Sequence, residues 1–395
     1  MNPDEQVRRA VDDDRDELVA LSHAIHADAE TAFEEFVSSE RVATALSDRG
    51  FTVEVGVADL PTAFTAEIGS GSLVIGLCAE YDALAGVGHA CGHNIIAASA
   101  VGAAAALAPL VDDLDVTIRV LGTPAEEGGS GKIYMLRAGS FDGLHAAMMV
   151  HPAPYDGRYI EALAAQAFTV DYTGRSSHAS AAPELGINAA DALTIAQVAI
   201  GLLRQHVRPV DRIHGIVTHA GDAANVIPDH ASGRWYGRST TLDDLSELLE
   251  RVQRCFEAGA VATGTTLKLR EPHPARSEFR DATRLSAMYL RAAADLGRDF
   301  TVFDRRGPIR GSTDMANVSL VMPAIHPMIG IDAGGASLHS REFAARAISG
   351  SADRAVRDGA VGLARTVVGA AVAEAVRLEL CATSFVAATT RTRAF

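Results

Sequence analysis

The sequence predicts an α/β protein, in which an open mixed sheet carries helices on both faces and a smaller α+β domain is inserted into the chain. Three short apolar runs, at residues 73–79, 116–121 and 146–150, have the composition of buried strands, and helical patterns separate them. From about residue 165 the pattern changes to strands that alternate between apolar and polar residues. The order strand, helix, strand, strand, helix, strand over residues 168–269 indicates a ferredoxin-like split βαβ domain.

The predicted helices follow from apolar residues that recur every three to four positions. They comprise two helices within residues 4–50, an alanine-rich helix over 94–107 with Asn94 as its N-cap, and helices over 280–296 and 352–375. The tail from residue 381 to 395 has no clear period and is expected to fray.

The length and the composition limit the domain organisation and the partners. A chain of 395 residues exceeds what one hydrophobic core usually supports. We predict a main domain formed by residues 1–164 and 276–395, interrupted by a second domain over 165–275. The net charge of −15, from 50 acidic and 35 basic residues, argues against nucleic acid as the main partner.

The cellular location is predicted from three features. Residues 1–16 are charged and lack the apolar segment of a secretory signal. No run of 18 apolar residues occurs, so no membrane-spanning helix and no membrane partner are expected. The four cysteines have no disulfide-framework spacing and fit a reducing compartment, so we expect a cytoplasmic protein.

A glycine-bracketed loop, residues 86–94, contains three side chains that can bind a metal: His89, Cys91 and His93. Residues two apart do not share a face of a helix, but on a loop Cys91 and His93 can converge on one point. Thiolate and neutral imidazole are both good ligands for zinc. Taken alone, the loop is equally well explained as a turn with an incidental buried cysteine.

Each of the three apolar runs of the main domain delivers polar groups at its carboxyl end. Glu80 and Asp82 follow the first run, Glu126 and Glu127 the second, and His151 the third. Open α/β sheets build their sites at this edge, so the sequence predicts one shared site there. For Glu126 and Glu127 the alternative is a solvated loop end.

The adjacent carboxylates Glu126 and Glu127 suit metal-assisted hydrolysis. Side chains of adjacent residues in an extended segment point in opposite directions, so one can bind a metal while the other faces a water molecule. A divalent ion lowers the pKa of water, and a nearby carboxylate can take the proton and pass it to a leaving amine.

With these motifs the chain resembles the metal-dependent aminoacylase and carboxypeptidase superfamily, in the amidohydrolase branch that has a His-Ala-Cys-Gly-His motif. That branch includes aminobenzoyl-glutamate hydrolase subunits, indole-acetyl-amino-acid hydrolases and related dipeptidases. The resemblance extends from His26 to His339, and its motifs are residues 79–84, 89–93, 124–127, 177–179, 225–228 and 311–314.

The resemblance implies a dinuclear metallopeptidase catalytic domain, with two divalent ions per chain, and a lid domain inserted into it. Cys91 would bridge the two ions, and Glu126 would be the catalytic base. The other metal ligands would be His93, Glu127, His151 and His339. Sulfur ligation favours zinc, and manganese is the alternative because members of this branch are also associated with it.

The resemblance also implies functional residues in the lid. His178 would help to hold the carbonyl oxygen in the transition state, often from the partner subunit of a homodimer formed through the lid. Asn225 and Arg238 would face the substrate, and Arg238 could form a fork with a terminal carboxylate. The alternatives are a surface loop histidine and an exposed surface arginine.

Several roles stay open at this point. Asp82 fits a carboxylate that orients a histidine ligand, and His89 is expected to support the loop. His326 competes with His339 as a ligand. Glu80 stands where the wider superfamily has a ligand histidine, and its role is open.

We consider two functional hypotheses. The first is hydrolysis of a linear amide in a small molecule, either an N-acyl or N-aroyl amino acid, such as aminobenzoyl-glutamate, or a dipeptide. The second is a catalytically silent metal- or ligand-binding member of the same fold, because fold does not imply function. Glu126 favours the enzyme, since a binding protein would not need a base at that position.

Overall fold

The protein is described by a computed structural model that covers residues 2–382. The chain divides into two compact units: Met1–Ala162 with Phe279–Phe395, and Leu163–Glu278. The predicted inserted domain, residues 165–275, lies inside the second unit. Of the predicted tail, residues 381–395, the first two residues belong to the last described helix, and residues 383–395 lie outside the described residues.

The secondary structure alternates strands with helices through most of the chain. In order, the strands are β1 Thr52–Val55, β2 Phe64–Ile68, β3 Leu73–Ala79, β4 Val116–Gly122, β5 Ala146–Met148, β6 His151–Ala153, β7 Ile160–Ala162, β8 Ala164–Thr173, β9 Arg212–His219, β10 His230–Ser239, β11 Thr266–Arg270, β12 Ile309–Gly311, β13 Ala324–Ile325 and β14 Met328–Gly330. The helices are α1 Pro3–Asp13, α2 Arg15–Asp28, α3 Phe36–Ser47, α4 His93–Leu107, α5 Gly131–Ala138, α6 Ala189–Leu203, α7 Leu242–Thr263, α8 Thr283–Asp295, α9 Thr301–Arg306, α10 Met315–Val321, α11 Arg341–Arg346, α12 Gly350–Val372 and α13 Glu374–Ala382.

The first unit is built around a six-stranded mixed sheet with the strand order β1-β2-β4-β3-β5-β13. β3 pairs in parallel with β4 and β5, and β13 adds in parallel to β5. β1 and β2 extend the other edge in antiparallel pairing. The sequence did not indicate β1, because that strand has only four residues and is largely exposed. The predicted α/β class with an open mixed sheet is confirmed.

The core of the first unit is centred on α4, in which nearly every residue is buried. Small residues let neighbouring helices approach closely: a Cβ on Gly102 would meet Leu18 and Ala360 at 2.6 and 2.9 Å. The predicted N-cap was wrong. The helix begins at His93 after Gly92, which has φ of +74°, and the Asn94 amide instead donates to Ser22 and Ala347.

The N-terminal region has three helices where the sequence predicted two. α1 and α2 are separated at Asp14, and α2 ends at Ala29 in a left-handed conformation. The apolar periodicity continued across the first break, so the sequence pattern could not show it. The last long helix, predicted over 352–375, is α12, and α13 follows it.

One helical region of the described chain is apolar enough to cross a membrane by composition. It is the 18-residue window His93–Leu110, of which 83% is buried inside the protein. α12 and α13 pass the same test only together, as a pair bent by 90°. A helix that is apolar on all sides is also what the core of a large α/β unit requires.

The second unit is a four-stranded antiparallel sheet with the strand order β11-β8-β10-β9, joined in the chain order β-α-β-β-α-β. Buried and exposed residues alternate along β10, so one face of the sheet is covered. α6 and α7 supply that cover, and their apolar side chains join a separate core around Phe168, Trp235 and Phe256. This topology is the split βαβ arrangement that the sequence pattern indicated.

Candidate metal centre

The centre lies in the first unit, where three neighbouring parallel strands end. The loops after β3 and β4 carry Asp82 and Glu127, and His151 follows β5. Because the carboxyl ends of parallel neighbours meet at one edge of a sheet, these loops converge. The loop with Cys91 leads directly into α4 at the same edge.

Three overlapping groups of side chains bring their donor atoms within 4.8 Å of one another. They are Cys91 with His93 and His151, Cys91 with Glu127 and His339, and His93 with Glu126 and Glu127. The structure therefore brings together all five predicted ligands and the predicted base. Cys91, His93 and Glu127 each belong to two of the three groups, so the groups form one connected cluster.

Asp82 holds the His93 ring and the backbone of Glu127 in place through two hydrogen bonds. Its Oδ1 lies 2.8 Å from His93 Nδ1, and its Oδ2 accepts from the Glu127 backbone N–H at 2.9 Å. A proton on Nδ1 leaves His93 Nε2 available for a metal. Burial alone would raise the pKa of Asp82, but His93 and the Glu127 N–H hold it below its usual value.

The donor set fits divalent cations. Among the described residues, no hydrogen-bond partner exists for the buried atoms His93 Nε2 and Glu127 Oε1, which lie 4.0 Å apart. Burial and the adjacent Glu126 raise the pKa of Glu127 to about 7, and burial and Glu127 raise that of Cys91 well above its usual value. Carboxylates and a thiol that are buried this closely together favour the binding of a cation, which would offset both effects.

The structure separates the two candidate histidines in the C-terminal part of the chain. His339 Nε2 lies 3.7 Å from Glu127 Oε1, and its backbone N–H donates to the Ala90 carbonyl oxygen. His326 is fully buried and stacks on the His151 ring at 5.3 Å, outside the three donor groups. Its position supports the orientation of His151 and favours His339 as the ligand.

His151 and His89 also have defined partners. His151 Nδ1 lies 2.7 Å from the Pro152 carbonyl oxygen, which leaves Nε2 to face the donor group. His89 Nε2 lies 3.0 Å from the Ile25 carbonyl oxygen, and its ring packs near His26. His89 therefore links the loop to the end of α2, in agreement with a supporting role.

Glu80 belongs to a buried charged triad that the sequence did not reveal. Lys132 Nζ lies 2.5 Å from Glu80 Oε1 and 2.8 Å from Asp314 Oδ1, and all three side chains are at most 1% exposed. Burial would lower the pKa of Lys132, but Asp314 and Glu80 raise it above its usual value. The other Glu80 oxygen lies 3.4 Å from His93 Nε2, so the triad borders the metal centre.

The composition draws attention to Lys132 but not to its two partners. The chain has 35 lysines and arginines in total, but only Lys132 and Lys268 are lysines. Almost every basic residue of this chain is arginine, so lysine at position 132, next to a glycine-rich turn, stands out as an exception. Lysine carries a compact ammonium group in place of the planar guanidinium group of arginine.

Of the three residues predicted to be functional in the second unit, His178 and Asn225 lie close together and Arg238 lies apart. The loop of His178 pairs with that of Asn225, because the Ala179 N–H donates to the Asn225 carbonyl oxygen at 3.0 Å. Arg238 lies toward the opposite end of β10 from His230, where the Asn225 loop enters. Eight residues of strand span about 26 Å, so the structure does not bring Arg238 to His178 within this unit.

Comparison with known proteins agrees with this geometry. Residues 77–354 match the family model described as Peptidase family M20/M25/M40. A mouse protein (Mus musculus) named Xaa-Arg dipeptidase is 38% identical over 347 residues, which are 82% of this chain and 79% of that protein. One of the two p-aminobenzoyl-glutamate hydrolase chains of Escherichia coli (strain K12) is 34% identical over 72% of this chain and 64% of its own length.

Two solved structures share the fold. The aminobenzoyl-glutamate utilization protein from Klebsiella pneumoniae has a TM-score of 0.73 at 19% identity, over 93% of this chain and 98% of that chain. The YXEP protein of Bacillus subtilis, described as a dinuclear metal binding peptidase from the M20 family, has a TM-score of 0.68 at 21% identity, over 90% and 97%.

The chain belongs to peptidase family M20/M25/M40. The predicted superfamily and the predicted class of enzyme, a metal-dependent amidohydrolase or peptidase, are confirmed. The hypothesis of a catalytically silent binding protein is therefore set aside.

Proposed function

We propose that this protein hydrolyses the amide bond of a dipeptide or of an N-acyl or N-aroyl amino acid. The observation that carries the proposal is the position of Glu126. It is 6% exposed, and its carboxylate lies within 4.8 Å of donor atoms of His93 and Glu127. A carboxylate beside the metal ligands can serve as a base without being needed as a ligand itself.

The residues divide the work of hydrolysis between them. Cys91, His93, Glu127, His151 and His339 would hold two divalent ions, which lower the pKa of water and polarise a carbonyl when bound. Glu126 would take the proton from the attacking water and pass it to the leaving amine. Asp82 keeps His93 in the tautomer that leaves Nε2 available.

His178 is the proposed donor to the substrate carbonyl oxygen. Its Nδ1 accepts hydrogen bonds from the backbone N–H groups of Ala181 at 3.1 Å and of Ser180 at 3.3 Å. A neutral imidazole that accepts at Nδ1 carries its proton on Nε2, so Nε2–H is available to an oxyanion. The neighbouring Asn225 is exposed and is proposed to contact the substrate, as is Arg238 from elsewhere on the sheet.

The relatives favour dipeptides among the proposed substrates. The mouse relative is named for a dipeptidase activity, and its identity exceeds that of the aminobenzoyl-glutamate hydrolase chain, 38% against 34%. We propose zinc as the metal because Cys91 supplies a sulfur ligand, with manganese as the alternative.

Metal removal and addition tests this function. Protein treated with a chelator is expected to lose hydrolysis of dipeptides, N-acyl amino acids and aminobenzoyl-glutamate, and to regain it when zinc or manganese is added, since the water must be activated. The measurement is amine release across this panel, together with metal content. Full activity in protein shown to be free of metal would contradict the proposal.

The same titration on Cys91→Ala tests the ligand set. This variant is expected to bind fewer than two ions per chain, because a bridging side chain serves both. Cys255→Ala is the matched control, since Cys255 is half-buried in the second unit and should leave the metal content unchanged. Two tightly bound ions in Cys91→Ala would remove Cys91 from the set.

We also propose a cytoplasmic homodimer that forms through the second unit. β9 is an edge strand of that unit, and its Ile216 and Val217 are 63% and 40% exposed. Unpaired edge strands are ready pairing surfaces, and two-fold symmetry would pair β9 with its own copy. The described cysteines are all free thiols, which suits a reducing cytoplasm.

Complementation between inactive variants tests whether His178 acts across the dimer. Chains with His178→Ala mixed with chains with Glu126→Gln are expected to regain about a quarter of the wild-type activity. One of the two sites in each heterodimer would then combine an intact base with an intact His178 of the partner. The measurement is activity after the subunits are mixed and heterodimers are demonstrated; no recovery would mean that His178 does not act across the dimer.

A further inference from the structure

A fully buried carboxylate outside the donor groups, Glu35, contacts the loop that carries Glu126. Glu35 lies at the start of α3, but its side chain makes no bond that caps this helix. Its Oε1 instead accepts from the backbone N–H of Ala125 at 2.8 Å, and also from that of Phe33 at 3.0 Å. Its Oε2 accepts from the Thr62 hydroxyl at 2.9 Å.

The contact at Ala125 falls where the backbone is strained. Ala125 has φ of +58°, a left-handed conformation that costs an alanine roughly 1–2 kcal/mol. The carbonyl oxygen of Ala125 accepts from the N–H groups of Gly129 and Ser130, which closes the turn around it. A non-glycine residue stays in this conformation only when its surroundings fix it.

Two buried carboxylates thus hold the backbone on either side of Glu126. Glu35 binds the N–H of the preceding residue, Ala125, and Asp82 binds the N–H of the following residue, Glu127. Between them the backbone of Glu126 has little freedom to turn, so the direction of its Cα–Cβ bond is fixed.

Glu30 has a structural role that can be compared with the role of Glu35. Glu30, five residues earlier, accepts from the N–H groups of Val37 and Ser38 and so caps α3. Because Glu30 already performs that role, Glu35 is not needed for it. Burial and the nearby Asp82 raise the pKa of Glu35 to about 7, because both disfavour the charged form of the carboxyl group.

We propose that Glu35 is a positioning residue. It fixes the left-handed turn at Ala125 and thereby directs the Glu126 carboxylate toward the water molecule whose proton it takes. The inference rests on the proposed role of Glu126 as the base. It assigns to the N-terminal segment a part in the reaction, through the backbone and without contact with the substrate.

Three substitutions at Glu35 distinguish the effect of its hydrogen bond to Ala125 from the effect of its charge and from a loss of protein stability. Glu35→Gln keeps an acceptor oxygen at the same reach, and its kcat is expected to stay within about threefold of wild type. Glu35→Asp keeps the charge but is one methylene shorter, and its kcat is expected to fall by about 10- to 100-fold. Glu35→Met keeps the length without an acceptor and is expected to lose at least as much.

The readouts are kcat, KM and metal content of each purified variant, with Tm measured separately. A positioning role predicts that kcat falls while KM changes by less than about threefold and two ions remain bound. The matched control is Glu30→Ala, which should lower Tm and leave kcat unchanged. If Glu35→Met does not fold, the Asp and Gln variants still decide the question.

Two results would overturn the inference. One is a wild-type kcat in Glu35→Asp, and the other is an equal loss in Glu35→Gln and Glu35→Asp, which would make the charge and not the hydrogen bond responsible. Glu126→Gln, assayed in parallel, separates this failure from that of the proposed function. An active Glu126→Gln would refute the base itself, whereas an inactive Glu126→Gln beside an unaffected Glu35→Asp would refute only the positioning role.

Discussion

Replacing Glu126 with glutamine is expected to lower kcat by about two to four orders of magnitude, as the loss of a general base does. Glutamine has nearly the same shape but cannot take a proton from water. The remaining donor groups are intact, so the variant should still bind two ions. Steady-state kinetics and metal analysis of the same preparation measure both effects.

The neighbouring residue provides the control for this experiment. Glu127→Gln removes a proposed ligand, so its metal content is expected to fall, whereas that of Glu126→Gln is not. Activity close to wild type in Glu126→Gln with full metal content would assign the base to another group.

Lys132→Met is expected to lower the free energy of unfolding by about 3–5 kcal/mol, because it leaves two buried carboxylates without their cation. Glu80 and Asp314 both bind the Lys132 ammonium group, and the Lys132 backbone N–H also donates to Asp314 at 2.9 Å. Denaturant unfolding of the metal-free protein measures the loss without a contribution from bound ions.

The only other lysine of the chain is the matched control. Lys268 is exposed on β11, so Lys268→Met should change the free energy of unfolding by less than about 0.5 kcal/mol. A similarly small effect in Lys132→Met would mean that the two carboxylates are protonated or solvated when the lysine is absent, and that the triad contributes little.

Much of the centre could be predicted because its signals are local in the sequence. Cys91 and His93 lie in one loop, and Glu126 and Glu127 are adjacent. The apolar runs before Glu80, Glu126 and His151 indicated the strands, and strand ends in an open sheet converge. The succession of strands and helices along the second unit was likewise indicated by local apolar patterns.

What could not be predicted depends on contacts between distant segments. Glu35 meets Ala125, 90 residues away, and Lys132 meets Asp314, 182 residues away. No periodicity encodes such pairs, because Glu35, Lys132 and Asp314 each look like a solvated charge in their own segments, and the backbone N–H of Ala125 leaves no mark in the sequence. The sequence could not distinguish His339 from His326 for the same reason. Only the packing shows that His339 faces Glu127 and that His326 stacks on His151.

The overlapping donor groups also differ in when the ribosome completes them. Two of the groups, His93 with Glu126 and Glu127 and Cys91 with His93 and His151, have been synthesised once residue 151 is made, whereas the group of Cys91, Glu127 and His339 must wait for His339. The interval is 339 − 151 = 188 residues, which takes about 10–40 s at typical rates of synthesis. The inserted second unit accounts for most of that delay. A newborn chain therefore possesses two of the three donor groups well before it possesses the third.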